Sequence, residues 1–307
     1  MLATIAGMSS HPRRSTSKTS KSSKSSKPSK TSQTSKNPRG TASRPLSGFR
    51  LTEALIAGWR PLQRLDVDGF ALLRSRGVTR RANSAVALDA PSSQDGLAAA
   101  IDRVESLYEM SGETPVFRVL DLHGPERLDD VLRERGYRRD GDSELLTTAL
   151  GRRRGDVPHP SAEIRTGALD EGWFEAAWQL APREGEQARR TVHDILAGTP
   201  AVQVLLRADG APDAAPVAVG RAALAPVGKE TVAVLNMIAV DPAHRRQGLG
   251  RALSRTLLAL AAVQGASRAL LEVERDNGAA RALYRQLGFD RLGGYHYRAR
   301  SSSVSER

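Results

Sequence analysis

The sequence predicts an α/β protein with a mixed central sheet flanked by helices, built from two similar halves behind a basic tail. Strand-like and helix-like segments alternate from residue 69 to residue 299, which favours a layered α/β architecture. Both halves end in strand–helix–strand–helix–strand, and Arg-Gly-Tyr at 135–137 corresponds in position to Leu-Gly-Phe at 287–289. A length of 307 residues also suits two domains.

The tail is the origin of the net charge of +12. Residues 1–50 hold six lysines, five arginines and no acidic residue, whereas the rest of the chain carries 35 basic and 34 acidic residues. Residues 9–47 are mainly Ser, Thr, Lys and Pro, which cannot bury enough apolar surface to order a chain. We therefore expect residues 1–47 to be disordered. Two interpretations remain open: a dispensable extension, or electrostatic contact with nucleic acid or another polyanion.

Composition excludes several classes of protein. The chain has no cysteine, so disulfide scaffolds, zinc–thiolate sites, iron–sulfur clusters and thiol nucleophiles are excluded. Its six histidines show no pair with metal-site spacing, so we expect no metal. No apolar run approaches the ~18 residues of a membrane helix, so we expect no membrane association. The start, MLATIAGM, lacks the basic region of a secretory signal, and we expect a cytoplasmic protein.

The first half, residues 48–150, is predicted to contain two helices among four strands. Helix 95–111 has apolar residues at helical spacing, and helix 125–135 ends at Gly136, a residue suited to a helix C-terminus. The strands are predicted at 69–76, 82–88, 115–122 and 143–150. A polar linker rich in Gly and Pro follows at 151–160.

The second half, residues 161–300, repeats the alternation and precedes a short C-terminus, 301–307, that we expect to be disordered. Its apolar run TVAVLNMIAV at 231–240 is typical of a central strand that is buried on both faces. The other strands are predicted at 162–169, 201–207, 216–224, 269–275 and 289–299, and the helices at 170–181, 184–197, 248–264 and 278–287.

The stretch Asp-Pro-Ala-His-Arg-Arg-Gln-Gly-Leu-Gly-Arg, which follows strand 231–240, opens the next helix. Gly248 and Gly250 lack a Cβ, so a bulky anion can approach the unpaired amides and the positive end of the helix dipole. This pattern indicates a phosphate cradle. It is not a Walker A loop, because no Gly-Lys-Ser/Thr follows, and Leu253 occupies the third glycine position of a dinucleotide fingerprint. The alternative is a glycine-containing loop with ordinary helix capping.

Together with Leu-Glu-Val-Glu-Arg-Asp-Asn-Gly-Ala-Ala-Arg-Ala-Leu-Tyr at 271–284, this stretch resembles the GNAT superfamily of acetyl-CoA-dependent N-acetyltransferases. The resemblance covers residues 162–298, with its specific motifs in 235–289, and implies a GNAT fold, in tandem. It implies that the pyrophosphate of acetyl-CoA lies on the amides of 247–252 and that the pantetheine arm pairs with 238–240. The implied cofactor-binding residues are Ile238, Ala239, Val240, Arg245, Arg246, Gln247, Gly248, Leu249, Gly250, Arg251, Ala252 and Asn277.

Asn277 and Tyr284 stand two helical turns apart and so project from one side of their helix. Asn277 suits a helix N-cap, and the resemblance implies a contact with pantetheine as the alternative. Tyr284 is either a packed helix aromatic or, as the resemblance implies, the general acid beside the cofactor sulfur. A phenol is still protonated at pH 7, so its proton is available to a developing thiolate.

The general base is the most open assignment. Glu272 matches a position that serves in the resembling family as base, directly or through water. Glu274 shares its face of the strand by alternation. The alternatives are two exposed carboxylates without a catalytic role, or deprotonation of the amine by solvent.

The first half resembles the amino-terminal domain of bacterial two-domain members of the same superfamily, through Gly77, Thr79 and residues 81–84. Arg80 and its neighbours stand where glycines would be needed, and their Cβ atoms would hinder a phosphate. We expect this half to bind no cofactor and either to wall the acceptor cleft or to stabilise the pair.

The sequence therefore predicts an N-acetyltransferase that acetylates a primary amine of a small molecule or protein by direct attack in a ternary complex. No Ser-His-Asp or Cys nucleophile suggests a covalent enzyme intermediate. The alternatives are an idle coenzyme-A-binding or ligand-sensing module, and a nucleic-acid-associated protein that acts through its tail.

Overall fold

The structure is a computed structural model that describes residues 46–151, 157–210 and 214–300. In the first half, helices α1 (Gly48–Gly58), α2 (Gln94–Glu109) and α3 (Leu128–Glu134) accompany five strands. These are β1 (Gln63–Val67), β2 (Phe70–Arg74), β3 (Ala85–Ala87), β4 (Val116–Leu120) and β5 (Arg138–Ala149).

The second half contributes six strands and four helices. The strands are β6 (Glu163–Gly167), β7 (Ala201–Arg207), β8 (Pro216–Val227), β9 (Glu230–Val240), β10 (Ala266–Glu274) and β11 (Asp290–Ala299). The helices are α4 (Glu171–Leu180), α5 (Glu186–Ala197), α6 (Leu249–Val263) and α7 (Gly278–Gln286). Each strand and helix predicted from the sequence is confirmed, with shifted ends. The largest shift is at predicted strand 143–150, which begins five residues earlier, at Arg138. Predicted strand 82–88 shortens to β3 because residues 80–82 make a 3₁₀ turn.

Helix α1 and strand β1 were not predicted, and they move the boundary of the tail. Leu46 is buried, and the Ser47 side chain accepts a hydrogen bond from the Arg50 amide at the start of α1. The prediction that disorder extends to residue 47 is therefore wrong for these two residues, because an apolar side chain and a helix cap include them in the fold. Residues 1–45, 152–156 and 301–307 lie outside the described residues.

One sheet of eleven strands runs through both halves in the order β1-β2-β3-β4-β11-β5-β10-β9-β8-β7-β6. Strand β5 of the first half pairs antiparallel with β10 and β11, and β11 of the second half pairs antiparallel with β4 and β5. Each half thus inserts its last strand into the sheet of the other half. The described residues belong to one compact unit. The division into domains at 48–150 and 161–300 stays a prediction.

The second half of the sheet is covered differently on its two faces. One side, which we call the α6–α7 face, is covered by helices α6 and α7. Here the β10 side chains Leu271 and Val273 pack against Leu253 and Leu257 of α6 and Ala280 of α7. Helix α1 packs on the opposite side, to which β10 directs Leu270. Helices α4 and α5 cover β7 and β8 on this same side, which we call the α1 face. Within the described part of the chain, no helix is long and apolar enough to cross a membrane.

Candidate active site

Strands β9 and β10 separate in the middle of the sheet. They pair in parallel from Ala266 opposite Thr231 as far as Leu271 opposite Leu235. Beyond this point β9 continues against β8, and β10 continues against β5. In the described residues, the edge of β9 that faces β10 therefore carries no strand from Asn236 to Val240. An open edge of this kind offers backbone donors and acceptors to an extended partner.

A bulge in β9 accompanies the separation. The register with β8 shifts between Val219 opposite Ala239 and Arg221 opposite Asn236, so two residues of β9 lie opposite Gly220. One of the two, Met237, has a φ of 51°, which is rare for a residue with a side chain. A bulge bends its strand and redirects its backbone amides. Ile238 is the other bulge residue, and Ala239 and Val240 follow it. All three are half-buried along the open edge.

The predicted phosphate cradle lies where α6 begins, one short turn after β9. Gly248 has φ 83° and ψ −1°, a left-handed conformation that glycine adopts without strain. The Arg251 and Ala252 amides both donate to the Gly248 carbonyl oxygen at 3.0 Å, so the Leu249 and Gly250 amides precede the first bond of the helix. A Cβ built on Gly248 would meet no atom within 4 Å, so the space beside Gly248 itself is open. These features fit a pyrophosphate.

Positive side chains surround the cradle. Arg246, Gln247 and Arg251 are exposed, and Arg245 turns back so that its Nε donates to the Val240 carbonyl oxygen at 3.3 Å. In the described parts of the chain, no carboxylate forms an ion pair with any of these three arginines. Their charge adds to that of the helix N-terminus, and both favour an anion.

Asn277 caps α7, as one of its two interpretations predicts. Its Oδ1 accepts a hydrogen bond from the Ala280 amide at 3.0 Å, and the residue is buried. A side chain that holds the first turn of α7 also orients Tyr284 two turns later. Whether Asn277 contacts a cofactor stays a prediction.

Tyr284 is buried on the α6–α7 face, with its ring edge-on to Phe289 at 5.4 Å between centroids. Burial raises the pKa of the phenol to about 12, and the nearby Ser254 hydroxyl of α6 offsets part of this rise. The phenol therefore keeps its proton across the physiological range. The structure thus allows the general-acid role and the packing role together.

Glu272 lies on β10 immediately after the last residue paired with β9, and it is not free. Its side chain is 5% exposed and forms ion pairs with Arg81 and, at 3.5 Å, with Arg118. Burial alone would raise the pKa of this carboxyl, but the charges of the two arginines outweigh it, so the pKa lies below its usual value. A low pKa and a buried ion pair both weigh against Glu272 as the general base. Glu274 is exposed two residues later, and both base assignments stay predictions.

The partner of Glu272 comes from the first half, through the loop that carries the Gly77, Thr79 and 81–84 pattern. The Asn83 side chain holds this loop with four hydrogen bonds, accepting from the Ser75 and Gly77 amides and donating to the Val78 and Thr79 carbonyl oxygens. The Arg81 guanidinium then lies 4.6 Å from the Trp59 ring and pairs with Glu272. Sequence reasoning noticed the pattern but did not connect it with Glu272, which is 191 residues away.

Other buried arginines were also missed. Arg118 is 2% exposed and its guanidinium lies 4.7 Å from the Tyr295 ring. Arg221 is 1% exposed, and its Nη2 donates to the Leu196 and Thr199 carbonyl oxygens. An arginine among apolar strand residues was the available signal, because such a charge needs partners when buried. Among the described residues, no group of three or more His or acidic side chains is placed to hold a metal ion.

Comparisons with known proteins agree with this geometry. A profile described as "Probable histone acetyltransferase Rv0428c C-terminal" matches residues 48–300. The [Ribosomal protein bS18]-alanine N-acetyltransferase of Escherichia coli K12 is 50% identical over 58 residues, which are 19% of this chain and 39% of that enzyme. The N-alpha-acetyltransferase RimI of Mycobacterium tuberculosis is 48% identical over 59 residues, 19% of this chain and 35% of that enzyme. The chain thus spans less than half the length of these curated relatives.

Solved structures show the same fold. A GCN5-related N-acetyltransferase from Kribbella flavida superposes with a TM-score of 0.62 at 22% identity, over 83% of this chain and 95% of that chain. A tandem GNAT protein from the clavulanic acid biosynthesis pathway gives a TM-score of 0.56 at 15% identity, over 70% of this chain and 74% of that chain. The chain belongs to the "Probable histone acetyltransferase Rv0428c C-terminal" family and, with it, to the GNAT superfamily of N-acetyltransferases.

Proposed function

We propose that this protein transfers the acetyl group of acetyl-CoA to a primary amine by direct attack in a ternary complex. The observation that carries the proposal is the open edge of β9 directly before an unpaired, positively charged helix N-terminus. Bound acetyl-CoA supplies the activated thioester. The amides of 247–250 would hold its pyrophosphate, with Arg245, Arg246 and Arg251 nearby. The Arg251 and Ala252 amides, which the prediction from the sequence included, are already bonded to the Gly248 carbonyl oxygen. The backbone of 238–240 would hold the extended arm.

The bulge in β9 suits the chemistry of acyl transfer. Negative charge develops on the acyl oxygen during attack, and a fixed backbone amide stabilises such charge without reorganising. The bulge at Met237 and Ile238 turns the backbone out of the regular ladder with β8, next to the open edge. We assign the donor to an amide among 238–240.

Tyr284 would act at the leaving sulfur as a hydrogen-bond donor. Its pKa of about 12 lies well above the value of about 8.5 for a thiol, so complete proton transfer from Tyr284 Oη is unfavourable. Donation of a hydrogen bond to developing negative charge has no such cost. This refines the general-acid assignment: the proton stays largely on Tyr284.

The amine must be neutral before it attacks. Glu272 is held in two ion pairs, so we propose that water, rather than Glu272, receives the amine proton.

The cradle can be tested with a matched pair of glycine variants. Gly248 and Gly265 stand at opposite ends of α6, with φ values of 83° and 84°, and a Cβ on either would meet no atom within 4 Å. Gly248→Val and Gly265→Val should therefore introduce similar backbone strain. We expect only Gly248→Val to lose acetyl-CoA binding in calorimetric titration, because only there does the side chain enter the phosphate site.

Unchanged affinity in folded Gly248→Val would overturn the cradle. Coenzyme A release with a panel of primary amines then tests transfer itself. Tight binding without release for any amine would favour the idle coenzyme-A-binding or sensing module instead.

A further inference from the structure

The α1 face beside the gap between β9 and β10 holds an excess of buried positive charge. Arg81, Arg118 and Arg183 form an arginine cluster with one carboxylate, Glu272, among them. Arg221 adds a further positive charge on this face, and its Nη1 donates to the carbonyl oxygen of Gly58, the residue before Trp59. Burial lowers the pKa of Arg221 to about 9, and in the described residues no carboxylate forms an ion pair with it.

Several donors of the cluster lack an acceptor. The Nε and Nη2 of Arg118 and the Nη2 of Arg183 are buried and, among the described residues, have no hydrogen-bond partner. Arg118 itself is 2% exposed. Unsatisfied buried donors are costly, and a guanidinium more so than a neutral group. Glu272 Oε1 is also buried without a hydrogen bond, 3.5 Å from Arg118 Nη1, so the charge of Glu272 partly serves Arg118. The Arg183 donor has no carboxylate paired with it among the described residues, and a ligand could supply its missing acceptor.

Arg183 is the member of the cluster that is placed to meet a ligand. It lies between α4 and α5 and is half-buried, and within the described parts of the chain no carboxylate forms an ion pair with it. Leu180, at the end of α4, packs against the same apolar cluster as Ala82, the neighbour of Arg81 in sequence, and Trp59, on which Arg81 stacks. Burial and the nearby charge of Arg81 both lower the pKa of Arg183. Arg81 is held by Glu272 and stacks on Trp59, whereas Arg183 has neither kind of partner among the described residues.

The cluster lies across the sheet from the cofactor elements. The cradle at α6 and Tyr284 belong to the α6–α7 face. Alternation along β10 directs Glu272, and with it the cluster, to the α1 face. An amine that enters from the α1 face would pass Arg183 and Arg81 on its way to the gap between β9 and β10.

We propose that the acceptor amine carries a carboxylate, which binds Arg183 with Arg81 beside it. This inference rests on the proposed acetyltransferase function and names its acceptor class. The planar guanidinium fork matches a carboxylate in two parallel hydrogen bonds, and the net positive cluster repels a cationic acceptor such as a lysine-rich peptide. The ligand carboxylate would supply an acceptor to Arg183 Nη2, which has none among the described residues.

Three matched pairs of acceptors test the proposal: glycine and glycinamide, β-alanine and β-alaninamide, and 4-aminobutanoate and 4-aminobutanamide. Each pair keeps its amine and exchanges the carboxylate for a neutral amide. For at least one pair we expect kcat/KM for coenzyme A release to favour the acid by about 10- to 100-fold, as hydrogen bonds to a charged group warrant. Arg183→Gln should abolish this preference, and Arg183→Lys should retain part of it. The control is Arg190→Gln, an exposed arginine of α5 that pairs with Glu186.

A second readout keeps the test independent of turnover. The same acids and amides are titrated into the full chain saturated with coenzyme A, and the arginine Nε–Hε signals are followed by NMR. We expect the acids to shift arginine signals that are absent in Arg183→Gln. Equal binding and turnover of acids and amides, or preferred turnover of a lysine peptide, would overturn the proposal. Loss of acetyl-CoA binding itself would instead refute the proposed function, which separates the two failures.

Discussion

Replacing Glu272 with Gln distinguishes a structural carboxylate from a catalytic base. The substitution keeps the shape of the side chain and removes its charge, which leaves Arg118 and Arg81, 2% and 16% exposed in their side chains, without a counterion. Breaking a buried ion pair by removing one partner costs about 3–5 kcal/mol. Since domains are stable by only about 5–15 kcal/mol, we expect a large fall in the denaturant midpoint.

The pH dependence of stability gives a second measure of the same ion pair. The folded pKa of Glu272 lies below its value of 4.5 in the unfolded chain, so the unfolded state binds the proton more readily. The stabilisation is therefore complete above about pH 4.5 and is lost as the pH falls through the folded pKa. Glu272→Gln should lose this part of the acid dependence.

Urea unfolding and steady-state kinetics are measured on the same samples. The control is Glu274→Gln, because Glu274 is exposed two residues along the same strand, and surface changes usually cost within about 0.5 kcal/mol. A double-mutant cycle with Arg81→Gln should give a coupling of about 0.5–3 kcal/mol. If Glu272→Gln instead keeps its stability and loses activity through a displaced low-pH limb of kcat, the carboxylate is the base and our interpretation of the ion pair is wrong.

Three further predictions follow from the placement of other elements. Tyr284→Phe should keep acetyl-CoA affinity and lower kcat by about 10- to 1000-fold. In the wild type, kcat should show no alkaline limb near pH 9–10, because Tyr284 keeps its proton there. An unchanged kcat in the variant would leave Tyr284 a packing residue. Residues 46–151 and 157–300, expressed separately, should each fail to show a cooperative thermal transition because each lacks an exchanged strand; two independently folded halves would contradict the sheet order. Removing residues 1–45 should leave the melting temperature unchanged and abolish salt-dependent DNA affinity. Removing residues 1–47 should in addition lower the free energy of unfolding by about 1 kcal/mol, because the helix cap is lost. Equal melting temperatures of the two truncated chains would show that the Ser47 cap contributes nothing.

The cradle could be predicted from sequence because it is a local structure. Gly248, Gly250 and the helix that follows are contiguous, and backbone conformation and unpaired amides depend on neighbours in the chain. The strand and helix periodicities were readable for the same reason. Helix α1 was missed although Leu51, Leu55 and Ile56 are buried in it, because it directly follows the polar tail.

The roles of the charged residues could not be predicted in this way. Glu272 looked like an exposed strand-end carboxylate or a base, and only Arg81 and Arg118, brought from the first half, show that it is neutralised. The pKa of Tyr284 likewise depends on its burial, which its own helix does not decide.

The sequence by itself determined the α/β class, the order of the elements after β1, the glycine-rich start of α6 and the basic character of residues 1–50, since each depends on composition or on residues close in the chain. Only the tertiary structure decided that β5 and β11 exchange between the halves, that β9 and β10 separate after Leu235, and that an arginine cluster surrounds Glu272. The strand exchange and the arginine cluster join residues 100 or more positions apart along the chain, as for Arg81 and Glu272 at a separation of 191. Such contacts form because packing and charge pairing offset the entropy of closing long loops, and local propensity carries no information about them.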